Sequence, residues 1–142
     1  MSTESGRPKP RRTDLILLVD RCLSPEIAYE ISKMDGLYGI PLFEQYGDEV
    51  AQQLTDVTFL TEAGRSDWGV LTQNPRMWQV PQERACIIAN RTRVFSLDDP
   101  NASKTLKGLV LGRHLLSIRR RLGRRDACFW RLRLQSTRKD LP

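Results

Sequence analysis

No apolar run in this chain approaches the length of a membrane span; its longest aliphatic stretches are the size of single strands. The opening residues, "MSTESGRPKPRR", lack the apolar core of a secretory leader, so a cytoplasmic location is expected. Cysteine is scarce. Cys22, Cys86 and Cys128 are far apart, odd in number and without a C-x-x-C pair, which argues against a disulfide framework or a zinc site. They read as small buried apolar side chains. His114 is the only histidine, so a Ser-His-Asp triad would have to use it. It falls in an arginine-rich helical stretch and reads as a helix-surface residue. No G-x-x-x-x-G-K-[ST] loop exists and no G-x-G-x-x-G follows a strand, which disfavours nucleotide binding by either mechanism. There is no internal repeat.

What is present suits one globular domain: 142 residues, 39% hydrophobic and 28% charged. The formal net charge of +6 points to an anionic partner, nucleic acid or an acidic protein. Residues 1–12 are polar and rich in Pro, Arg and Lys, and are expected to be a disordered basic tail. The domain proper is expected over 13–135, with 136–142 a second tail.

Within the domain, strands alternate with helices. Leu15–Val19 is a strand buried on both faces. "SPEIAYEISKM" follows with Ser24 as cap, Pro25 at the first helical position and Ile27, Ile31 and Met34 as a stripe. "LYGIPLF" (37–43) reads as a second strand, at a sheet edge because of Pro41. A helix over 55–64, a strand over 68–73, a helix over 81–90, a strand over 93–97, a long helix over 103–122 and a strand over 127–134 complete the pattern. Such alternation predicts an α/β fold, a mainly parallel central sheet between two layers of helices. Ligands of such sheets bind beyond the carboxyl ends of the strands. Asp20 lies at one such end and Asn74 just past another.

Acids draw attention first. Asp20 closes a buried apolar strand. Asp56 shares a helix face with Leu60 and Ala63, where a carboxylate is costly unless something pairs with it. Its position in the first turn also suits a helix start. Two acids converging on a sheet edge can hold a divalent cation. Asp98 and Asp99 follow the fourth strand as possible additional acids, in a "DDPN" stretch that also makes a good turn. Glu62 and Asp67 are expected elsewhere, on another helix face and at the opposite sheet edge. Basic residues cluster late, from Arg113 through Arg119, Arg120, Arg121, Arg124 and Arg125 to Arg131 and Arg133. Such a cluster can hold a phosphate backbone by charge, or simply solvate a helix face.

"DRCLSPEIAYEI", after its aliphatic strand, resembles the opening of PIN-like nucleases. "TDVTFLTEAGRSDWGVLTQNPRMW" is similar to the middle block of their VapC-type toxin subgroup, and "PQERACIIANRTRVFSL" to the helix and strand that follow. The resemblance spans roughly 14–133. It implies a three-layer α/β/α sandwich of PIN-like type and Mg²⁺- or Mn²⁺-dependent cleavage of RNA. It makes Asp20 and Asp56 the metal ligands and catalytic acids. Asn74 stands where the family has a third aspartate; it can offer an oxygen but no charge, which weakens a hard-cation site. Arg21, Arg76, Arg119, Arg120 and Arg124 are the candidates to hold RNA. A toxin would have an antitoxin protein as partner, and an edge strand or exposed helix offers a surface for a homodimer. A PIN-like module that binds RNA or a protein without turnover is the alternative. A third possibility, Asp20 as a phosphoryl-accepting nucleophile, lacks the second acid two residues on, where Cys22 stands.

Overall fold

The computed structural model of the chain describes residues 7–99 and 101–142. It contains one six-stranded sheet: β1 Leu15–Val19, β2 Leu37–Pro41, β3 Gly69–Thr72, β4 Arg93–Leu97, β5 Cys128–Leu132 and β6 Thr137–Leu141, in the order β2-β1-β3-β4-β5-β6. The first five strands are parallel; β6 returns antiparallel along β5. Helices α1 Pro25–Ile31, α2 Leu42–Tyr46, α3 Asp48–Gln53, α4 Asp56–Arg65, α5 Pro81–Ala89 and α6 Lys104–Leu122 connect them, with a 3₁₀ turn at Pro75–Trp78.

Strand alternation splits the core in two. Leu17, Val19, Leu71, Phe95 and Trp130 pack towards Ala28 and Ile31 of α1 and Leu111 and Ile118 of α6. Leu18, Val70, Val94 and Phe129 pack towards Phe59, Leu60 and Ala63 of α4 and Ile87 of α5. Both faces of the central strands are therefore apolar, as parallel sheets covered on both sides require. The expected α/β sandwich with a mainly parallel sheet is observed. All five parallel strands end at one rim, the carboxyl edge, and begin at the other, the amino edge.

Three segments differ from expectation. The second strand stops at Pro41, and residues 42–46 turn helical, because Pro41 extends the chain (φ −70°, ψ 152°) into the first residue of α2. β2 is an edge strand, as Pro41 suggested. Residues 136–142 are not a tail, since 137–141 form β6. Its three consecutive charged residues are tolerated because the strand is an outer one, with Arg138 and Lys139 exposed. Of the basic tail expected over 1–12, residues 1–6 lie outside the described residues, and Arg7 and Pro8 are fastened down. The Arg7 guanidinium sits 4.7 Å and 4.5 Å from the ring centroids of Tyr29 and Tyr38. It donates to Glu44 Oε1 (2.7 Å) and the Gly39 carbonyl (2.9 Å), while the Tyr38 hydroxyl donates to the Pro8 carbonyl (2.8 Å). An arginine between two rings beside a carboxylate is a strong anchor, and it covers β2. Gly39 lets α1 lie close against that strand: a Cβ there would stand 2.6 Å from the Ala28 carbonyl oxygen.

Candidate active site

The strand order reverses at β1. The chain steps outward from β1 to β2, then crosses back to β3 on the other side of β1. Neighbouring crossovers therefore leave on opposite faces, opening a crevice between the carboxyl ends of β1 and β3. Asp20 is at its floor. Its N–H extends the ladder to the Leu71 carbonyl (2.9 Å), and its own carbonyl accepts the Leu23 N–H (3.0 Å), turning the chain towards α1. Only 6% of Asp20 is exposed. Its carboxylate accepts a hydrogen bond from the fully buried Thr72 hydroxyl (2.8 Å). Asp20 also lines a cavity of about 160 Å³ between β1, β2 and α3, with Asp48, Leu42 and Gln52 among its walls.

Asp56 reaches the same edge from α4. Thr55 caps that helix by accepting the Thr58 N–H (3.2 Å), and Phe59, Leu60 and Ala63 bury its inner face. Asp56 follows on that inner side, half-buried. Glu83, in the first turn of α5, shares a buried face with Cys86 and Ile87. Burial, then a hydrogen bond shared with Asp56 and the Asp56 charge, push the Glu83 carboxyl up to about 7. Burial, with the Asp56 charge in support, raises Asp20 as well, and the Thr72 bond opposes this only in part. Asp56 is thus the common neighbour of two acids. None of the three has a cationic partner among the described residues. Such an arrangement is unfavourable by itself and becomes favourable when a proton or a cation enters.

Asn74 lies next to this group but spends its side chain locally. Its Oδ1 accepts the Arg76 N–H (3.2 Å) and caps the 3₁₀ turn, while its N–H donates to Thr72 Oγ1 (3.2 Å). Among the described residues no three Asp, Glu, His or Cys side chains are grouped so as to hold a metal ion. The donor set suits a less enclosed arrangement. Mg²⁺ is usually held through one or two carboxylates and keeps several waters, which Asp20 and Asp56 can provide.

The other candidates are placed differently. Asp98 is two strands from β1, about 10 Å across the sheet, and its carboxylate pairs with Arg133 (2.6 Å) and Arg131 (3.7 Å). Asp99 is exposed and accepts the Asn101 N–H (3.0 Å). Neither joins the acids. Arg21 is exposed, and its Nη1 donates to the carbonyls of Ala51 (3.0 Å) and Leu54 (2.8 Å). It thereby ties α3 and the lead-in to Asp56 onto the end of β1. Arg76 is exposed beside Asn74. Arg119, Arg120 and Arg124 lie at the far end of α6, at the amino edge, a full strand length from Asp20.

Two sequence expectations about single residues are corrected. His114 is not on the helix surface. It is buried, with Nε2 bonded to the Arg133 carbonyl and Nδ1 3.4 Å from Thr137 Oγ1, because the β5–β6 turn and the start of β6 meet α6 at that point. Cys22 is exposed next to the crevice rather than buried. Glu83 and Thr72 escaped notice. Glu83 carried the signal that marked Asp56, an acid three and four residues before buried positions. Thr72 carried none, since a strand-end threonine is ordinary. Comparison of the chain with family models, with curated proteins and with solved structures returns no match.

Proposed function

We propose that the chain is a metal-dependent ribonuclease of PIN-like type, with Asp20 and Asp56 as its metal-holding acids and Glu83 beside them. The observation that carries this reading is the meeting of three acids without cationic partners at the crevice where the strand order reverses. Asp20 and Asp56 would hold Mg²⁺ or Mn²⁺. Such an ion, when bound, supplies an activated water and neutralises charge developing on phosphate. Thr72 fixes the rotamer of the Asp20 carboxylate. Arg21 anchors the segment that delivers Asp56. Glu83 retains a proton into the neutral range and so limits repulsion around Asp56. Arg76 offers a cation to a phosphate at the crevice mouth. Such an enzyme would act on cytoplasmic RNA, and as a toxin it would be restrained by an antitoxin protein.

The test is cleavage of a single-stranded RNA in Mg²⁺ or Mn²⁺, wild type against Asp20→Asn. A loss of at least about a thousandfold is expected on removing one ligand charge. Equal activity in both proteins, or none in the wild type with either ion, rejects the proposal.

Asn74 favours a second reading, a PIN-like module that binds RNA or a protein without turnover, because its oxygen is committed to a cap. Calorimetric Mg²⁺ titration separates the two. Weak wild-type binding that tightens sharply in Asn74→Asp supports the module; tight wild-type binding removes it.

A further inference from the structure

The amino edge of the sheet has a character of its own. Arg65 ends α4, Arg91 precedes β4, Arg119 and Arg120 lie in the last turn of α6, and Arg124 and Arg125 lie in the loop before β5. All are exposed except Arg119, which is half-buried. In sequence they are scattered over three connections; the fold brings those connections to one edge. Arg119 donates to the Asp35 carbonyl (2.8 Å), and Arg125 lies 3.4 Å from Asp67. Asp67 in turn binds the buried Arg93, whose guanidinium also reaches the carbonyls of Leu122 and Arg124. The ends of α4 and α5 abut, since a Cβ on Gly64 would stand 2.4 Å from the Asn90 carbonyl oxygen; this brings Arg65 near Arg91.

The acids at this edge are already engaged. Asp35 pairs with Arg11 (3.7 Å), Asp126 with Arg124 (3.3 Å), and Asp67 with both Arg93 and Arg125. Arg65, Arg91 and Arg120 have no ion-pair partner among the described residues. Favourable interaction with the α6 C-terminus accounts for a cation or two in its last turn, but not for the arginines contributed by α4, α5 and the β5 lead-in.

We infer that this edge is a nucleic-acid-binding face, separate from the acid crevice, which holds a phosphate backbone by charge and without reading bases. Exposed guanidiniums presented from several elements suit a flexible polyanion, because each can meet a phosphate along an irregular path. The crevice edge is poorly suited to that task, since its unpaired carboxylates repel phosphate wherever no cation lies between. The two edges are about 15 Å apart along five-residue strands. RNA held at the amino edge must therefore wrap around the sheet to reach Asp20. The inference shares with the ribonuclease reading only the partner's chemistry, and it stands whether or not the acids cleave.

The experiment is fluorescence anisotropy of a labelled single-stranded RNA with EDTA present, over a series of salt concentrations, using the full chain. Changing Arg65, Arg120 and Arg124 together to Glu is expected to weaken binding at least about tenfold near 0.1 M salt. It should also reduce the slope of log affinity against log salt by about 2, at about 0.7 per lost phosphate contact. The matching Lys substitutions keep the charges and should bind within about twofold of wild type, which separates charge from folding. Asp20→Asn should not weaken binding, so loss of cleavage and loss of binding are read independently. An unchanged Glu variant, or an equal loss from Arg76→Glu with Arg84→Glu at the other edge, overturns the inference. So does tight binding to phosphatidylserine vesicles without binding to RNA.

Discussion

The two edges of the sheet treat charge in opposite ways. At the carboxyl edge Asp56 is the neighbour of both Asp20 and Glu83 without a cation nearby, and burial makes the charged forms of Asp20 and Glu83 costly. At the amino edge the chain itself partners most of the buried guanidinium nitrogens, leaving Arg93 Nε and Arg121 Nε without one. Arg93, only 2% exposed, bonds the carbonyls of Leu122, Arg124 and Asp67 and the Asp67 carboxylate. Arg121 holds the carbonyls of Arg124, Asp126 and Ala127. A buried charge bonded to carbonyls or a carboxylate of the chain ties elements together; a buried acid without a cation is relieved when a proton or cation arrives. The contrast separates residues of the same type: Arg93 and Arg121, bonded inside the fold, from the exposed Arg120, and Asp67, paired with Arg93 and Arg125, from Asp20, which has no cationic partner among the described residues.

Substitutions should therefore have opposite signs at the two edges. The largest effect is expected at Arg93. Arg93→Met removes the donor to the Leu122 and Asp67 carbonyls, while the Arg124 carbonyl keeps Arg121 and the exposed Asp67 carboxylate keeps Arg125, and should cost about 2–3 kcal/mol, read as a lower urea midpoint. A loss under about 1 kcal/mol would mean that the amino edge is not held by this arginine.

At the carboxyl edge substitution should stabilise. Glu83 titrates near 7 in the folded chain, above its ordinary 4.5, so the native state holds a proton that the unfolded chain releases. The associated stability is complete below about pH 4.5 and is lost as pH rises through 7. Glu83→Gln should thus match wild type near pH 4 and exceed it at pH 8. Full linkage gives about 3 kcal/mol, and screening at the crevice reduces this to about 1–2 kcal/mol. Urea melts across pH 4–8 check it; parallel curves for the two proteins would show that Glu83 titrates normally.

Smaller still is Asp20→Asn, which retains the Thr72 bond but removes the buried charge. It should add about 1 kcal/mol, or about 3–5 °C in Tm near pH 7.5 without divalent ions. A drop in Tm would class Asp20 with the structural acids. Smallest is Asn74→Asp, which keeps the cap to Arg76 and adds a charge beside the acids. A fall of about 1–2 °C in EDTA, reversed by millimolar Mg²⁺, is expected from thermal melts. Indifference to Mg²⁺ would place residue 74 outside the site.

Much of this was visible in the one-dimensional pattern. The aliphatic β1 run, the Ser24-Pro25 helix start and the strand–helix alternation predicted a parallel sheet with helices on both faces, and their agreement is local propensity reinforcing burial. Asp20 and Asp56 stood out because each is an acid at an apolar position. Glu83 did not, because Pro81 and a first-turn acid are also what an ordinary helix start needs. β6 was missed because its run of charged residues resembles a tail; pairing to β5 decides otherwise. Arg21 and Asn74 stood out by position; each also bonds nearby backbone groups, which position alone does not reveal.

What the sequence by itself determined is the five parallel strands, the longer helices between them and the acids Asp20 and Asp56, since hydrophobic period and capping chemistry act within a dozen residues. Only the tertiary structure decided which charges meet. The strand order brings Asp20, Asp56 and Glu83 to one crevice and sends the arginines of α4, α5 and α6 to the opposite edge. The reason is physical: whether a buried charge is satisfied depends on groups tens of residues away in the chain, and no local pattern encodes that distance.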